Sequence, residues 1–195
     1  MAALFVALIH YPVADRNGRI VTSAITSLDL HDIARSSRTY GVSAFFVVHP
    51  VADQREFAAR VIDHWKTGYG RQFDSRRREA LELIHIATDL DEAIVEAERV
   101  AGARPTIVYT SARATGGIGY AEMRAQMELA DGAPVLLLFG TGFGMAPAML
   151  ERADLALTPV LGPGEYNHLS VRAAAGIILD RLRGHREVCG RRPSK

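Results

Sequence analysis

Glu165, Asn167, His168 and Ser170 crowd the start of a small-residue helix within the run Leu157-Thr-Pro-Val-Leu-Gly-Pro-Gly-Glu-Tyr-Asn-His-Leu-Ser-Val-Arg-Ala-Ala-Ala-Gly176. A helix start presents free N–H groups, and hydrogen-bonding side chains beside them suit a polar ligand. Alanines and a glycine on the same helix let another backbone approach closely. Upstream, the apolar run Val135-Leu-Leu-Leu-Phe139 empties directly into Gly140-Thr-Gly-Phe-Gly144. Glycines there permit positive φ and close passage of a ligand along the backbone. Two such loops so near each other predict one pocket with two walls.

Each group also has a plain structural reading. Ser170 and Asn167 are ordinary helix N-caps, and His168 reads equally as a surface or hydrogen-bonded core residue. The glycine loop alone reads as a tight strand-to-helix turn. It is no dinucleotide fingerprint, because the third glycine of G-x-G-x-x-G falls at Met145 and such a site belongs to the first βα unit. No Walker A sequence occurs. Thr110-Ser-Ala-Arg-Ala-Thr-Gly-Gly-Ile-Gly119 leaves a strand end on the same edge as the glycine loop, where ligands of open α/β sheets gather. That makes Thr110 and Ser111 candidates for cofactor contact and Arg113 for substrate contact; a long surface loop is the alternative.

Trp65-Lys-Thr-Gly-Tyr-Gly-Arg-Gln-Phe73, followed by Arg76-Arg77-Arg78, interleaves aromatics with cations. That mixture suits single-stranded RNA, whose bases stack and whose phosphates pair with basic groups. Lys66, Arg71, Arg76, Arg77 and Arg78 are the candidate contacts. Three arginines in a helix's first turn also oppose its dipole, a misfit that an anionic partner would relieve. A solvated helix face is the competing reading. The seven histidines are dispersed, none at zinc-site spacing with cysteine or another histidine, so no metal is expected.

Pro159-Val-Leu-Gly-Pro-Gly-Glu-Tyr-Asn-His-Leu-Ser-Val171 resembles the final motif of the SPOUT superfamily of knotted methyltransferases. Pro159, Gly162, Glu165, Ser170, Val171 and Ala173 fall in register with its TrmH-like (SpoU) branch. Phe139-Gly-Thr-Gly-Phe-Gly144 resembles the middle motif, with Gly142 where the branch has glutamate. Asp29, Ile33-Ala-Arg-Ser36 and Tyr40-Gly-Val42 resemble the first motif, with Asp29 in place of its asparagine. His168 occupies the place of another asparagine of the branch.

The resemblance implies S-adenosylmethionine as cofactor, bound by Gly140, Thr141, Gly142, Leu161, Gly162, Asn167, His168, Leu169 and Ser170, with Thr110 and Ser111 nearby. It implies an RNA substrate, tRNA or rRNA, a homodimer and a C-terminal trefoil knot. Arg35, otherwise a solvated residue on an early helix, matches the branch's catalytic arginine. Arginine stays protonated in proteins, so its role would be to stabilise the acceptor oxygen or grip an adjacent phosphate. 2′-O-ribose methylation is the reading this favours. Methylation of a base nitrogen is the alternative, because Gly142 and His168 depart from the ribose pattern; a non-catalytic RNA- or protein-binding module is another.

These groups need a scaffold. At 195 residues, with 48% hydrophobic and 23% charged residues, the chain fits one soluble domain. A net charge of +1 announces no nucleic-acid binder by global field. The lone Cys189 fits a reducing cytoplasm, and no apolar run approaches a bilayer span, so no membrane partner is expected. Strands are expected at Leu4–Ile9, Ala44–Val48, Leu83–Ala87, Thr106–Tyr109, Val135–Phe139 and Leu155–Leu157. Helices are expected at Leu30–Tyr40, Gln54–Lys66, Arg76–Leu83, Asp91–Val100, Tyr120–Leu129 and His168–Leu182, with Asp53 and Asp89 as N-caps. The alternation predicts an α/β fold: a single open, mostly parallel sheet with helices on both faces, spanning residues 1–186 before a disordered tail at 187–195.

Overall fold

Six successive apolar residues, Leu4–Ile9, form strand β1, and all six are buried. A strand that hides both faces needs a layer above and a layer below. The computed structural model, which describes residues 1–68, 70, 74–129 and 131–185, supplies both. Further strands are β2 (Val13–Ala14), β3 (Ile20–Val21), β4 (Ala44–Val48), β5 (Ile84–Ala87), β6 (Thr106–Tyr109), β7 (Val135–Gly140) and β8 (Leu155–Ala156). The helices are α1 (Ser27–Thr39), α2 (Ala52–Lys66), α3 (Ser75–Leu81), α4 (Leu90–Ala101), α5 (Tyr120–Glu128), α6 (Pro147–Glu151) and α7 (Val171–Arg183).

The main sheet has the order β5-β4-β1-β7-β6-β8. Every neighbouring pair is parallel, with Ile9 opposite Gly140 and Tyr109 opposite Leu138. Alternate residues divide the core. Leu4, Val6, Leu8, Phe45, Val47, Leu137 and Phe139 face α1, α2, α3, α5 and α7, through Leu30, Ile33, Ile62, Leu81, Met123 and Leu179 among others. Phe5, Ala7, Ile9, Phe46, Leu136 and Leu138 face α4 and α6, through Leu90, Ala93, Ala97 and Met149. The expected open sheet with helices on both faces is present, and the sheet is parallel throughout.

Local chemistry sets the helix starts. Asp89 caps α4 as expected, accepting from the Glu92 amide, and Ser170 caps α7 by accepting from the Ala173 amide. Asp53 corrects one expectation: the N-cap of α2 is Val51, and Asp53 lies in the first turn, where its charge favours the dipole. The last helix begins at Val171 rather than His168, which leaves Asn167–Leu169 as irregular backbone.

Two elements are absent from the sequence expectations. The β2–β3 hairpin pairs Val13 with Val21 and Ala14 with Ile20. It folds over the end of β7, where Ala14 exchanges backbone hydrogen bonds with Gly144 (2.9 Å) and Phe143 (3.2 Å). The other is the short helix α6, with Pro147 at its start. The expected boundary at residue 186 and the tail beyond it lie outside the described residues.

The chain around β8 is flanked on both sides. On one side the Leu157 amide donates to the Tyr109 carbonyl at 2.9 Å. On the other the Ile118 amide donates to the Ala156 carbonyl at 2.8 Å, and the Thr158 amide to the Ile118 carbonyl at 3.1 Å. Residues 110–117, which join those two flanks, therefore straddle the segment 156–158. At the crossing, Gly117 has φ +120, and a Cβ there would lie 2.4 Å from the Ala156 carbonyl oxygen.

Candidate active site

The order of strands puts β1 beside β7, so the chain reverses direction of travel across the sheet at that point. Ligands of such sheets bind outside the carboxyl ends of the strands at the reversal. A cavity of about 580 Å³ opens there. Its walls are the glycine loop after β7, the Thr110–Arg113 turn after β6, residues 158–160, the step 167–172 and the link between β3 and α1.

Most of the residues singled out from sequence come together in this cavity. Thr110, Ser111, Arg113, Gly140, Thr141, Gly142, Asn167, His168, Leu169 and Ser170 all line it. Thr110 presents backbone rather than hydroxyl, because its Oγ1 donates to the Leu138 carbonyl at 2.7 Å. Leu161 and Gly162 are exposed and do not line it; Thr158, Pro159 and Val160 stand at that wall instead. Arg35 is exposed on α1, outside the lining.

The basic segment lies elsewhere, where α1, α2 and α3 meet. Asp74 caps α3, accepting from the Arg76 and Arg77 amides, and so offsets part of the expected clash of arginines with the dipole. Arg77 stacks over Trp65 at 4.6 Å, and Arg78 reaches Glu82 at 3.6 Å. Arg76 is exposed, and Lys66 ends α2. Arg71 lies outside the described residues.

Several lining residues went unassigned in the sequence, among them Ser23, Thr26, Asp29 and Arg172. Asp29 is 6% exposed. Its Oδ2 accepts from Thr26 Oγ1 at 2.6 Å, and its Oδ1 accepts from Arg172 Nη1 at 2.7 Å. Arg172 Nε also approaches Asp32 at 3.5 Å. The one signal available was the departure of Asp29 from the family's asparagine.

Behind the cavity lies a line of hydrogen bonds whose directions follow from its end. Thr141 Oγ1 donates to the Ile9 carbonyl at 3.1 Å. Ser23 Oγ must then donate to Thr141 Oγ1, and His10 Nδ1–H donates to Ser23 Oγ at 2.9 Å. The chain thus fixes His10 as the neutral Nδ1–H tautomer, with Nε2 buried and unpartnered among the described residues. His49 accepts from the Val51 amide at Nδ1, so its Nε2–H donates to the Ser23 carbonyl at 3.0 Å. Burial first, then the neighbouring His49, pushes His10 from its ordinary 6.5 down to about 4.

The unfolded chain therefore protonates His10 as pH falls below 6.5, whereas the folded chain resists until about 4. Stability from this group is complete above pH 6.5 and is lost as pH falls toward 4. The expected loss across that window is about 3 kcal/mol. Urea unfolding at the two ends of the window checks it. His10→Asn should flatten the difference; an equal pH dependence in that variant would refute the assignment.

The cavity fits S-adenosylmethionine by its own construction. Its volume lies in the range of small-molecule sites. Phe139, Val160, Leu169 and Ile178 supply apolar surface, while Ser23, Thr26, Asp29 and Asn167 supply polar groups. Asn167 Nδ2 donates to the Ala112 carbonyl at 3.3 Å and ties two walls together. The Leu169 and Ser170 amides make no backbone hydrogen bond among the described residues, so they remain available to a purine edge. Bound there, the cofactor supplies an electrophilic methyl group on a sulfonium centre.

A family model described as SAM-dependent RNA methyltransferase matches residues 3–184. The chain belongs to that family. This methyltransferase is 45% identical over 181 residues to a tRNA (guanine-N(1)-)-methyltransferase of Nitratidesulfovibrio vulgaris, a match covering 93% of the chain and 42% of the relative. It thus spans about two fifths of the relatives so named. An uncharacterized protein of Aquifex aeolicus is 40% identical over 180 residues, covering 92% of the chain and 87% of that protein. The fold is that of the SpoU methyltransferase AviRb from Streptomyces viridochromogenes, solved with AdoMet: TM-score 0.55 at 20% identity, over 92% of this chain and 56% of that one. The chain thus has a SpoU-like fold and belongs to a family described as SAM-dependent RNA methyltransferases. No helix among the described residues is long and apolar enough to cross a membrane.

Proposed function

We propose that this methyltransferase acts on tRNA and places the methyl group on a nucleobase nitrogen. The cavity wall carries that reading: a buried carboxylate, Asp29, lines it, whereas Arg35, which a ribose mechanism calls for, stands on the exposed side of α1. The name of the relatives at 42% and 45% identity supports it, as a name given to proteins of which this chain matches two fifths. The bound cofactor lies between the glycine loop and the 167–170 step, and Arg113 at the rim meets the RNA. Lys66, Arg76, Arg77 and Arg78 extend the RNA contact away from the cavity, and Arg71 joins them from the sequence alone. A homodimer, a cytoplasmic location and passage of the C-terminal segment beneath residues 110–117 as a knot complete the reading, the first and last from family resemblance.

The test is transfer of labelled methyl groups to total tRNA from cells lacking the protein, followed by nucleoside analysis. Label is expected on a base nitrogen. Label on ribose would return the chemistry to the 2′-O reading, and absence of transfer to tRNA would remove tRNA as substrate. In the same preparation, alanine at Arg76, Arg77 and Arg78 together should flatten the salt dependence of tRNA binding, because fewer counterions are released. An unchanged slope would make that segment a solvated face only.

A further inference from the structure

We propose that the Asp29 carboxylate takes the proton of the methyl acceptor, a nucleobase N–H. The proposal rests on the base-methylation reading above and assigns its proton acceptor. Asp29 is the only carboxylate lining the cavity among the described residues. Thr26 holds one of its oxygens at 2.6 Å and Arg172 the other at 2.7 Å, so the group is fixed in plane. An ionised carboxylate oxygen has two lone-pair sites, which leaves each oxygen able to accept from a substrate as well. A general base needs that reach before anything else.

The chemistry matches the acceptor. A nucleobase N–H beside a carbonyl is a far stronger acid than a ribose hydroxyl, because its anion is delocalised. A carboxylate can take the first proton and is a poor match for the second. In the transfer the N–H bond breaks and its proton goes to an Asp29 oxygen. The nitrogen pair forms the N–CH3 bond as the S–CH3 bond breaks, leaving its electron pair on sulfur. His168, also in the lining, has its ring edge-on to the exposed Tyr166 at 6.4 Å, and no hydrogen bond orients it among the described residues. Asp29 stands where the resembling branch has asparagine, whose amide can orient a substrate but cannot take its proton. This one replacement matches a change of acceptor.

Asp29→Asn keeps the size of the side chain, removes its charge and leaves Arg172 without that ion partner, so the melting temperature should fall. Transfer to tRNA from cells lacking the protein should fall about 10²–10⁴-fold, far more than any loss of S-adenosylhomocysteine affinity. Asp29→Glu, which keeps the base, should retain a measurable part. A binding readout separates this role from a structural one. Wild type should bind unmodified tRNA about tenfold more tightly than the same tRNA after exhaustive methylation, because the methylated base has lost the N–H that Asp29 accepts; Asp29→Asn should lose that preference. Near-wild-type transfer by Asp29→Asn, with label on a base, would overturn the role of Asp29 alone. Loss of S-adenosylhomocysteine affinity together with transfer would reduce Asp29 to a structural residue. Label on ribose would overturn the base-methylation reading itself.

Discussion

Gly117→Ala is expected to destabilise the methyltransferase by about 3 kcal/mol or more and to abolish cofactor binding with it. Two costs combine. Gly117 has φ +120, a region that residues with a Cβ rarely adopt. The added Cβ would also fall 2.4 Å from the Ala156 carbonyl oxygen and 2.9 Å from its carbon, both backbone atoms of the straddled segment. Neither can yield without breaking the bonds from Ile118 and to Tyr109 that flank it. Gly116→Ala separates the terms: φ is +87 there, but no atom lies within 4 Å of the new Cβ. It should show backbone strain alone, about 1–2 kcal/mol. Urea unfolding of the two variants, with calorimetric titration of S-adenosylhomocysteine, gives the comparison. Equal losses would mean that the crossing at Ala156 has slack.

Gly142→Val is expected to weaken S-adenosylhomocysteine binding about tenfold to a hundredfold, with a smaller effect on stability. Gly142 has φ +60, and its Cβ would meet only the Ala14 carbonyl oxygen, at 3.3 Å. A β-branched residue in that conformation is strained by about 1–3 kcal/mol. The loop can relieve the strain by leaving its position as a cavity wall, and the same energy then appears as lost affinity. Docking on the β2–β3 hairpin, through the bonds of Ala14 to Phe143 and Gly144, resists that escape and limits the damage. A wild-type dissociation constant in the variant would show that the glycine loop is not a wall of the site.

The scaffold was legible because its signals are local. Leu4–Ile9, Ala44–Val48 and Val135–Phe139 are apolar on both faces, which only a parallel sheet covered twice can bury. The two loops at Gly140–Gly144 and Asn167–Ser170 were legible as walls for a related reason: glycine and helix-start chemistry are written within a few residues. The β2–β3 hairpin carried a readable sign in Asn17-Gly18, where Asp15 accepts from the Asn17 and Arg19 amides. Ser23, Thr26 and Asp29 are a different case. Ser23 and Thr26 sit in the link before α1 and Asp29 in its first turn, a stretch that periodicity reads as connector, and they reach the cavity only because β1 lies beside β7. Arg172 joins them from the far end of the chain. No spacing announces a contact between positions 29 and 172; strand order creates it. Arg35 shows the reverse limit, since a motif match fixes a position on α1 but not the side of the helix that faces the ligand.

The straddled segment also orders events in time. A nascent chain that has emerged only as far as β7 can build five strands of the sheet, yet it lacks the wall made by residues 158–160 and 167–172. The cavity is thus completed last, once the segment 156–158 is flanked on both sides and the wall that follows it is in place. A ligand that touches both the glycine loop and the 167–170 step binds only the completed cavity, and by mass action it opposes withdrawal of that segment. Supply of such a ligand would thereby act on the lifetime of the folded chain.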